Sequence, residues 1–390
     1  RMRRIRADLS PVDGAARFRD ELGVDVFLGE GRFVAEDAVE VDGRRLRFHR
    51  AVIATGARAA IPPIPGMDGV AYLTNETVFS LTERPEHLAV IGGGPIGCEL
   101  AQAFVRFGAR VTVVEGGPRI LPHDDADAAE VVAAALRRDG VQLLTGTHVE
   151  SVAASGAGTA VRVTGGGESS QISASHLLVA SGRAPVVEGL GLEAAGIDSG
   201  RDGVTVDERM RTSNPRVYAI GDVASRYKFT HAADAQARMV VRNALFFGRG
   251  TADSLIIPWC TYTSPELAHV GIAPDEVEEA GDEVQTITIP LAEVDRARTD
   301  GETEGFVRVH LRAGSDTIVG ATIVAEHAGE LITQVTQAMT AGIGLGKLGE
   351  TIYPYPTTAE ALRKAADAWR RTKLTPTARR AFGLFFRAVR

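Results

Sequence analysis

The stretch HLAVIGGGPIGCELAQAFVRFGARVTVVEG, His87 to Gly116, decides the fold. Its apolar run Leu88 to Ile91 predicts a buried strand. Ile96 to Phe107 predicts a helix with Leu100, Ala101, Phe104 and Phe107 on one face. Between them Gly92, Gly94 and Gly97 fall in G-x-G-x-x-G spacing, and a second strand, Arg110 to Val114, ends at Glu115. Glycine keeps such a turn tight and lets the backbone approach a pyrophosphate, whose charge sits at the helix N-terminus. Glu115, eighteen residues after Gly97, is placed to accept hydrogen bonds from both ribose hydroxyls. A carboxylate there repels a 2′-phosphate, so the stretch predicts an α/β nucleotide fold that prefers NAD to NADP.

The chain has 390 residues, room for two or three domains with real cores. A net charge of −7 argues against nucleic acid as the main partner. No apolar run is long enough to span a bilayer, and no secretory signal opens the chain. The only cysteines, Cys98 and Cys260, lie 162 residues apart. That spacing excludes a disulfide framework, offers no metal site, and points to a cytoplasmic location.

Upstream, Ser10 to Leu22 predicts a capped helix with Ala16, Phe18 and Leu22 as its apolar face. Short strands follow in VDVFLGEGRF and VEVDGRRLRFHRAVIATG, turned at Asp42-Gly43. Proline-rich IPPIPG, Ile61 to Gly66, predicts an extended connector. Downstream, Asp124 to Arg138 reads as a helix and Val141 to Leu144 as a third parallel strand. VESVAAS, AVRVTGGG and QISASHLLVASGRAP alternate and break at glycines, predicting an antiparallel meander. Val217 to Asp222 predicts a strand ending on Gly-Asp, and Thr230 caps a helix to about Phe247. From Ile257, antiparallel strands in TITIPL, GFVRVHL and TIVGATIVA accompany two helices, Glu330 to Ala341 and Thr358 to Arg371.

In this order the motifs resemble the flavoprotein disulfide reductases, the family of dihydrolipoamide dehydrogenase, glutathione reductase and mercuric reductase. V-I-A-T-G (Val52 to Gly56) resembles the FAD-domain strand before the crossing to the NAD domain, and A-S-G-R-A-P (Ala180 to Pro185) the return crossing. Y-A-I-G-D (Tyr218 to Asp222) resembles the second FAD signature, and T-H-A-A (Thr230 to Ala233) the helix start beneath the flavin. Y-P-Y-P-T-T-A-E (Tyr353 to Glu360) resembles the catalytic motif at the dimer interface. The resemblance implies Rossmann-like FAD- and NAD(P)-binding domains, the FAD part incomplete, plus an α+β C-terminal dimerisation domain. Residues 1–80 are then a remnant of the FAD domain, 81–183 the NAD domain, 184–255 the second FAD part and 256–390 the interface domain.

The same resemblance implies FAD contacts from Ala54, Thr55, Gly56, Gly221, Asp222, Thr230 and His231. It implies NAD contacts from Gly92, Gly93, Gly94, Pro95, Ile96, Gly97, Glu115, Val149, Gly182 and Arg183. Catalytic roles fall to Glu99, Tyr355 and Glu360. Asp222 suits ribitol hydroxyls, and the positive end of the Thr230 helix suits negative charge growing on a flavin during reduction.

Two departures from the family pattern shape the expectation. The family opens with its own strand and G-x-G-x-x-G for FAD, then a helix carrying C-x-x-x-x-C; neither motif occurs here, and the chain starts at Arg1. An N-terminally truncated member is therefore expected, its redox disulfide in a missing segment, the isolated chain inactive and holding FAD weakly. At the interface, lipoamide and glutathione reductases carry H-x-x-x-x-E. Tyr355 stands in the histidine's place, as in the F-P-Y-x-T-x-x-E of mercuric reductase. A phenol titrates at about 10 and shuttles protons poorly at neutral pH. Mercuric reductase also ends in a vicinal cysteine pair, whereas this chain ends FGLFFRAVR, which disfavours mercury itself as substrate.

The reading is an NADH-dependent FAD oxidoreductase of mercuric reductase type, a homodimer acting on a small molecule. Dihydrolipoamide dehydrogenase-like or NADH:quinone reductase activity are alternatives, as is a non-catalytic NAD-binding, oligomerising remnant. Isothermal titration is expected to show NADH binding more tightly than NADPH, with Glu115→Ala weakening NADH and narrowing the gap. Equal affinities in the parent chain would remove Glu115 as the discriminator.

Overall fold

His87–Ile91 is buried at every position, as a continuous apolar run becomes when strands flank both its edges. The computed structural model describes residues 1–389. A short helix, α1 (Met2–Leu9), precedes a meander of β1 (Gly31–Ala35), β2 (Ala38–Val41) and β3 (Arg44–Arg47). Asp42 and Gly43 take φ of 48° and 76°, the left-handed pair that a two-residue hairpin requires. β4 (Ala51–Ile53) and β5 (Ala57–Ala59) follow. Next, β6 (His87–Ile91), α2 (Pro95–Arg106), β7 (Arg110–Val114), α3 (Ala126–Arg138) and β8 (Gln142–Leu144) alternate, with the strands parallel.

β9 (Thr147–Ser155), β10 (Gly158–Gly165) and β11 (Glu168–Ala174) form an antiparallel sheet. β12 (His176–Val179) returns to β6, completing a parallel sheet of order β12-β6-β7-β8. β13 (Arg183–Pro185) pairs with β5, and β14 (Ser199–Gly200) with β15 (Gly203–Val204). β16 (Val217–Ala219) runs parallel to β4 and leads to α4 (Thr230–Leu245). The rest supplies β17 (Trp259–Thr261), β18 (Glu266–Gly271), β19 (Val284–Pro290), β20 (Phe306–Arg312) and β21 (Ile318–Ala325), antiparallel in the order β17-β18-β21-β20-β19. Helices α5 (Pro274–Ala280), α6 (Asp295–Asp300), α7 (Ala328–Thr340), α8 (Leu345–Leu348), α9 (Glu360–Thr372) and α10 (Pro376–Ala388) complete the chain. Among the described residues no helix is long and apolar enough to cross a membrane.

The chain divides into two compact units. The first gathers Arg1–Ala60, Glu76–Leu81 and Arg183–Leu255 around a core that includes Phe33, Ile53, Val217 and Val223. The second gathers Ile61–Asn75, Thr82–Gly182 and the chain from Ile256 onward. Polar bonds fasten the last segment of the second unit to α2 and α3. Trp259 Nε1 donates to Asp124 Oδ1 at 2.9 Å. Gln102 accepts from Ser264 N at 2.8 Å and donates to Ser264 O at 2.9 Å. The Arg308 guanidinium, over the Phe306 ring, pairs with Asp127 and Asp125.

Several expectations are corrected. Ser10 to Leu22 is no continuous helix: a 3₁₀ turn (Ser10–Asp13) and a π turn (Arg17–Glu21) replace it, and the α-helix lies upstream. Pro11 removes a backbone donor, and Phe18 and Leu22 stay exposed, so no buried face holds a helix there. Of VDVFLGEGRF only the end, from Gly31, is a strand. His176–Val179 leaves the meander because Leu177, Leu178 and Val179 are buried, a fully apolar run fit for a central parallel sheet. β17 and β18 lie outside the expected strands; in β18, ELAHVG does not alternate and is buried along most of its length.

Asp124 has a titration that tests the join to Trp259. Burial pushes its carboxyl up to about 6, outweighing the Trp259 hydrogen bond that favours the charged form. The native state therefore holds this proton more tightly than the unfolded chain does. The stabilisation is full below the unfolded value of about 4 and is lost as pH rises through about 6. Asp124→Asn, which keeps an acceptor for Trp259, is expected to match the parent near pH 4. Above about pH 7 it should be more stable by about 1–3 kcal/mol, seen as a higher Tm. A Tm difference that does not vary with pH would overturn this assignment.

Candidate functional site

The three spaced glycines of the β6–α2 turn have three different surroundings. Gly92 has φ 109°, and a Cβ there would lie 2.5 Å from the Ala180 carbonyl oxygen. At Gly97 a Cβ would lie 2.0 Å from the Gly92 oxygen, so the first turn of α2 rests directly on the strand end. Gly94 is the opposite case, with nothing within 4 Å of its Cβ position. Its backbone is the face a ligand can reach. Pro95 at N1 lacks an N–H that the first turn could not have used, and that end of the helix carries positive partial charge.

Glu115 lies at the end of β7 and already holds this loop. Its Oε2 accepts from Gly93 N and its Oε1 from Gly117 N, each at 2.7 Å. A carboxylate offers about four lone-pair sites, so both oxygens retain capacity for hydroxyl donors. Gly182, at φ 128°, is open around its Cβ position, and Ala180 N donates to Ile91 O at 2.8 Å beside it. Val149 packs half-buried on β9 against the core that holds Ala89, Ile91 and Val114.

In the first unit the expected FAD residues collect at the carboxyl ends of the parallel pair β4 and β16, where open α/β sheets place ligands. Ala54 and Thr55 are exposed after β4, and the Thr55 hydroxyl donates to Val186 O at 2.8 Å. Gly56 (φ 71°) has open space, and Gly221 (φ 70°) donates its N–H to Gln236 Oε1 at 2.8 Å. Arg183, expected with the NAD set, sits in this unit: its Nε donates to Asp222 Oδ2 at 3.0 Å and its Nη2 to Ala57 O at 2.7 Å. Thr230 is not the cap of α4. Phe229 has the extended backbone of an N-cap and makes no side-chain cap hydrogen bond, and Thr230 is already helical. His231 is exposed and stacks on Phe229 with ring centroids 5.3 Å apart.

The catalytic candidates have partners that spacing did not reveal. Glu99 is half-buried and accepts from Tyr262 N at 2.9 Å; burial pushes its carboxyl up, against that bond. The Tyr355 hydroxyl donates to Asp295 Oδ2 at 3.0 Å, and this bond and the carboxylate's charge raise the phenol's pKa. Tyr355 is 73% exposed, whereas Tyr353 is half-buried and donates to Leu348 O. Glu360, the first residue of α9, is buried; its Oε1 pairs with Arg363, and its Oε2 has no partner among the described residues. The structure thus bonds Tyr355 to Asp295, which lies in DRARTD and belongs to no motif. Cys98 and Cys260 are both free, and burial pushes both thiols far up. Glu266, His327 and Glu330, also unforeseen, bring ligand atoms within 4.8 Å of one another at a largely exposed place.

The family described as pyridine nucleotide-disulphide oxidoreductase matches residues 12–237. The chain belongs to this family. Residues 257–366 match the family's dimerisation domain. The mercuric reductase of Bacillus cereus is 38% identical over 89% of this chain and 55% of its own length. That of Streptomyces lividans is 38% identical over 92% of this chain and 73% of its own. The HOCl-induced flavoprotein disulfide reductase RclA from Escherichia coli has the same fold, with a TM-score of 0.82 at 30% identity, covering 90% of this chain and 80% of that one. This chain therefore spans little more than half of the Bacillus protein. The α/β fold and the membership among FAD- and NAD(P)H-using oxidoreductases follow from these matches.

Two glycine variants separate packing from binding. Gly97→Ala places a methyl against the Gly92 oxygen and is expected to cost about 2–4 kcal/mol, lowering Tm and NADH affinity together. Gly94→Ala meets open space at φ −74° and is expected to leave Tm nearly unchanged. It should still weaken NADH by about tenfold or more, because the methyl occupies the approach face. A Gly94→Ala protein that binds NADH as the parent does would take Gly94 out of the site.

Proposed function

We propose that this chain is the cofactor-binding and dimer-forming body of an NADH-dependent flavin oxidoreductase of mercuric reductase type. The observation that carries the reading is the open backbone at Gly94 between two occluded glycines, with the Glu115 carboxylate on the same loop. These residues fit a dinucleotide: the N-terminal end of α2 for the pyrophosphate and Glu115 for the adenosine ribose. Gly56, Gly221 and Asp222, beyond β4 and β16, fit the polar chain of FAD, and the N-cap of α4, Phe229, makes no side-chain cap hydrogen bond. When bound, the nicotinamide supplies a hydride and the flavin accepts it.

The remaining roles belong to the protein's own residues. Arg183 holds Asp222 through one oxygen and so fixes the direction of the other. Glu115 discriminates against a 2′-phosphate while it keeps the glycine loop closed. Residues 1–80 and 184–255 serve FAD, 81–183 serve NAD, and 256–390 make a two-fold homodimer. Tyr355 and Glu360 orient a small-molecule substrate in a site completed by the partner subunit. The high exposure of Tyr355 and the unpartnered Oε2 of Glu360 support that placement. Cys98 and Cys260 take no part, since burial disfavours both thiolates.

Anaerobic mixing with NADH, using protein prepared in excess FAD, tests the proposal. Loss of visible flavin absorbance is expected with NADH and more slowly with NADPH. In a protein extended to carry the family's redox cysteine pair, Tyr355→Phe should leave that first half-reaction within about twofold and slow transfer to a small aromatic disulfide by about tenfold. Flavin left oxidised by NADH would reduce the reading to an NAD-binding dimer. A monomer in light scattering would remove the shared site.

A further inference from the structure

Three helices of the second unit have equal length to α10 and bury five or six residues each, but α10 buries none. It is nonetheless well formed locally. Thr375 accepts from Ala378 N at 3.2 Å as a side-chain cap, and Pro376 occupies N1. At about 100° per residue, Phe382, Phe385, Phe386 and Val389 fall on one arc, with Ala378 between them. Arg380 and Arg387 fall on the other side, and Arg379 flanks the arc beside Phe386. The rings touch one another, with centroids 6.3 Å apart for Phe382 and Phe386 and 5.5 Å for Phe385 and Phe386. Each of the three is more than half exposed, so they form one contiguous apolar patch rather than scattered side chains.

Charge identifies the occupant. The whole chain carries −7, yet the sequence from Ala368 to Arg390 has no acidic residue and seven basic ones. A second copy of this helix would bring like charges together beside the same rings. A surface that is both negative and able to admit aromatic rings suits it instead. We propose that α10 docks on an anionic lipid surface, its phenylalanines in the acyl boundary and its arginines at the headgroups. Thirteen residues span about 20 Å, short of the roughly 30 Å hydrocarbon core, so the helix lies in the plane and does not cross. This inference is independent of the chemistry proposed above.

Flotation of the full chain with vesicles tests it, comparing equal parts phosphatidylglycerol and phosphatidylcholine with phosphatidylcholine alone. Binding is expected on the anionic vesicles, about tenfold or more lower on the neutral ones, and falling as salt rises. Phe382→Ser/Phe385→Ser/Phe386→Ser and, separately, Arg379→Glu/Arg380→Glu/Arg387→Glu should each cut binding by about tenfold or more. Tm and NADH affinity serve as folding controls and should hold. Absence of binding to anionic vesicles overturns the proposal, as does binding that survives both triple variants. If the phenylalanine variant instead changes the oligomeric state and leaves lipid retention intact, the patch is a protein contact and the proposal fails.

Discussion

Gly97 is pressed so close to the Gly92 carbonyl that a single methyl group at Gly97 would collide with it. Much of the second unit depends on that approach. It sets α2 on the end of β6, while Gly92 N bonds to Val114 O and brings β7 alongside. From the same helix, Glu99 and Gln102 reach the backbone of Tyr262 and Ser264. One turn of chain therefore positions both the open glycine loop and the first strands of the C-terminal sheet.

The parts of this arrangement that were legible in the sequence are those where local pattern and burial agree. The run HLAVI, the helix from Pro95 and the strand RVTVV had matching periodicity, composition and turn chemistry. The Asp42-Gly43 turn was legible for the same reason, since both residues tolerate positive φ. What escaped was long-range. Nothing local in HLLV distinguishes a fourth parallel strand from one more arm of a meander; its partner Leu88–Ile91 lies almost ninety residues earlier. Arg183 beside Asp222 and Tyr355 beside Asp295 are likewise pairings between distant segments. The candidate site was thus readable as a set of motifs, while the partners that set its electrostatics were not.

The join within the second unit is unusually polar for a place so buried. His269 stacks on Trp259 with centroids 4.4 Å apart and bonds Thr322, whose hydroxyl reaches Asp125. Burial lowers the pKa of His269 and takes His310 down to about 4, so both rings are neutral at ordinary pH. Their titration acts in the sense opposite to that of Asp124, because a buried base loses stability on acidification. Hydrogen bonds with fixed directions help define how the C-terminal sheet meets α3.

The first unit is assembled from three stretches of chain, with roughly a hundred residues of the second unit inserted between Leu81 and Arg183. Its parallel pair joins Ala51 to Val217, and its fold is incomplete until the chain has reached about Leu255. On a ribosome, then, β4 emerges long before β16, the strand it pairs with. The strand–helix–strand from His87 to Val114 closes almost at once through contacts close in sequence. Synthesis thus builds the glycine turn first and leaves the older, N-terminal strands dependent on what is made later. During that interval β4 is open to wrong pairing and to chaperone capture.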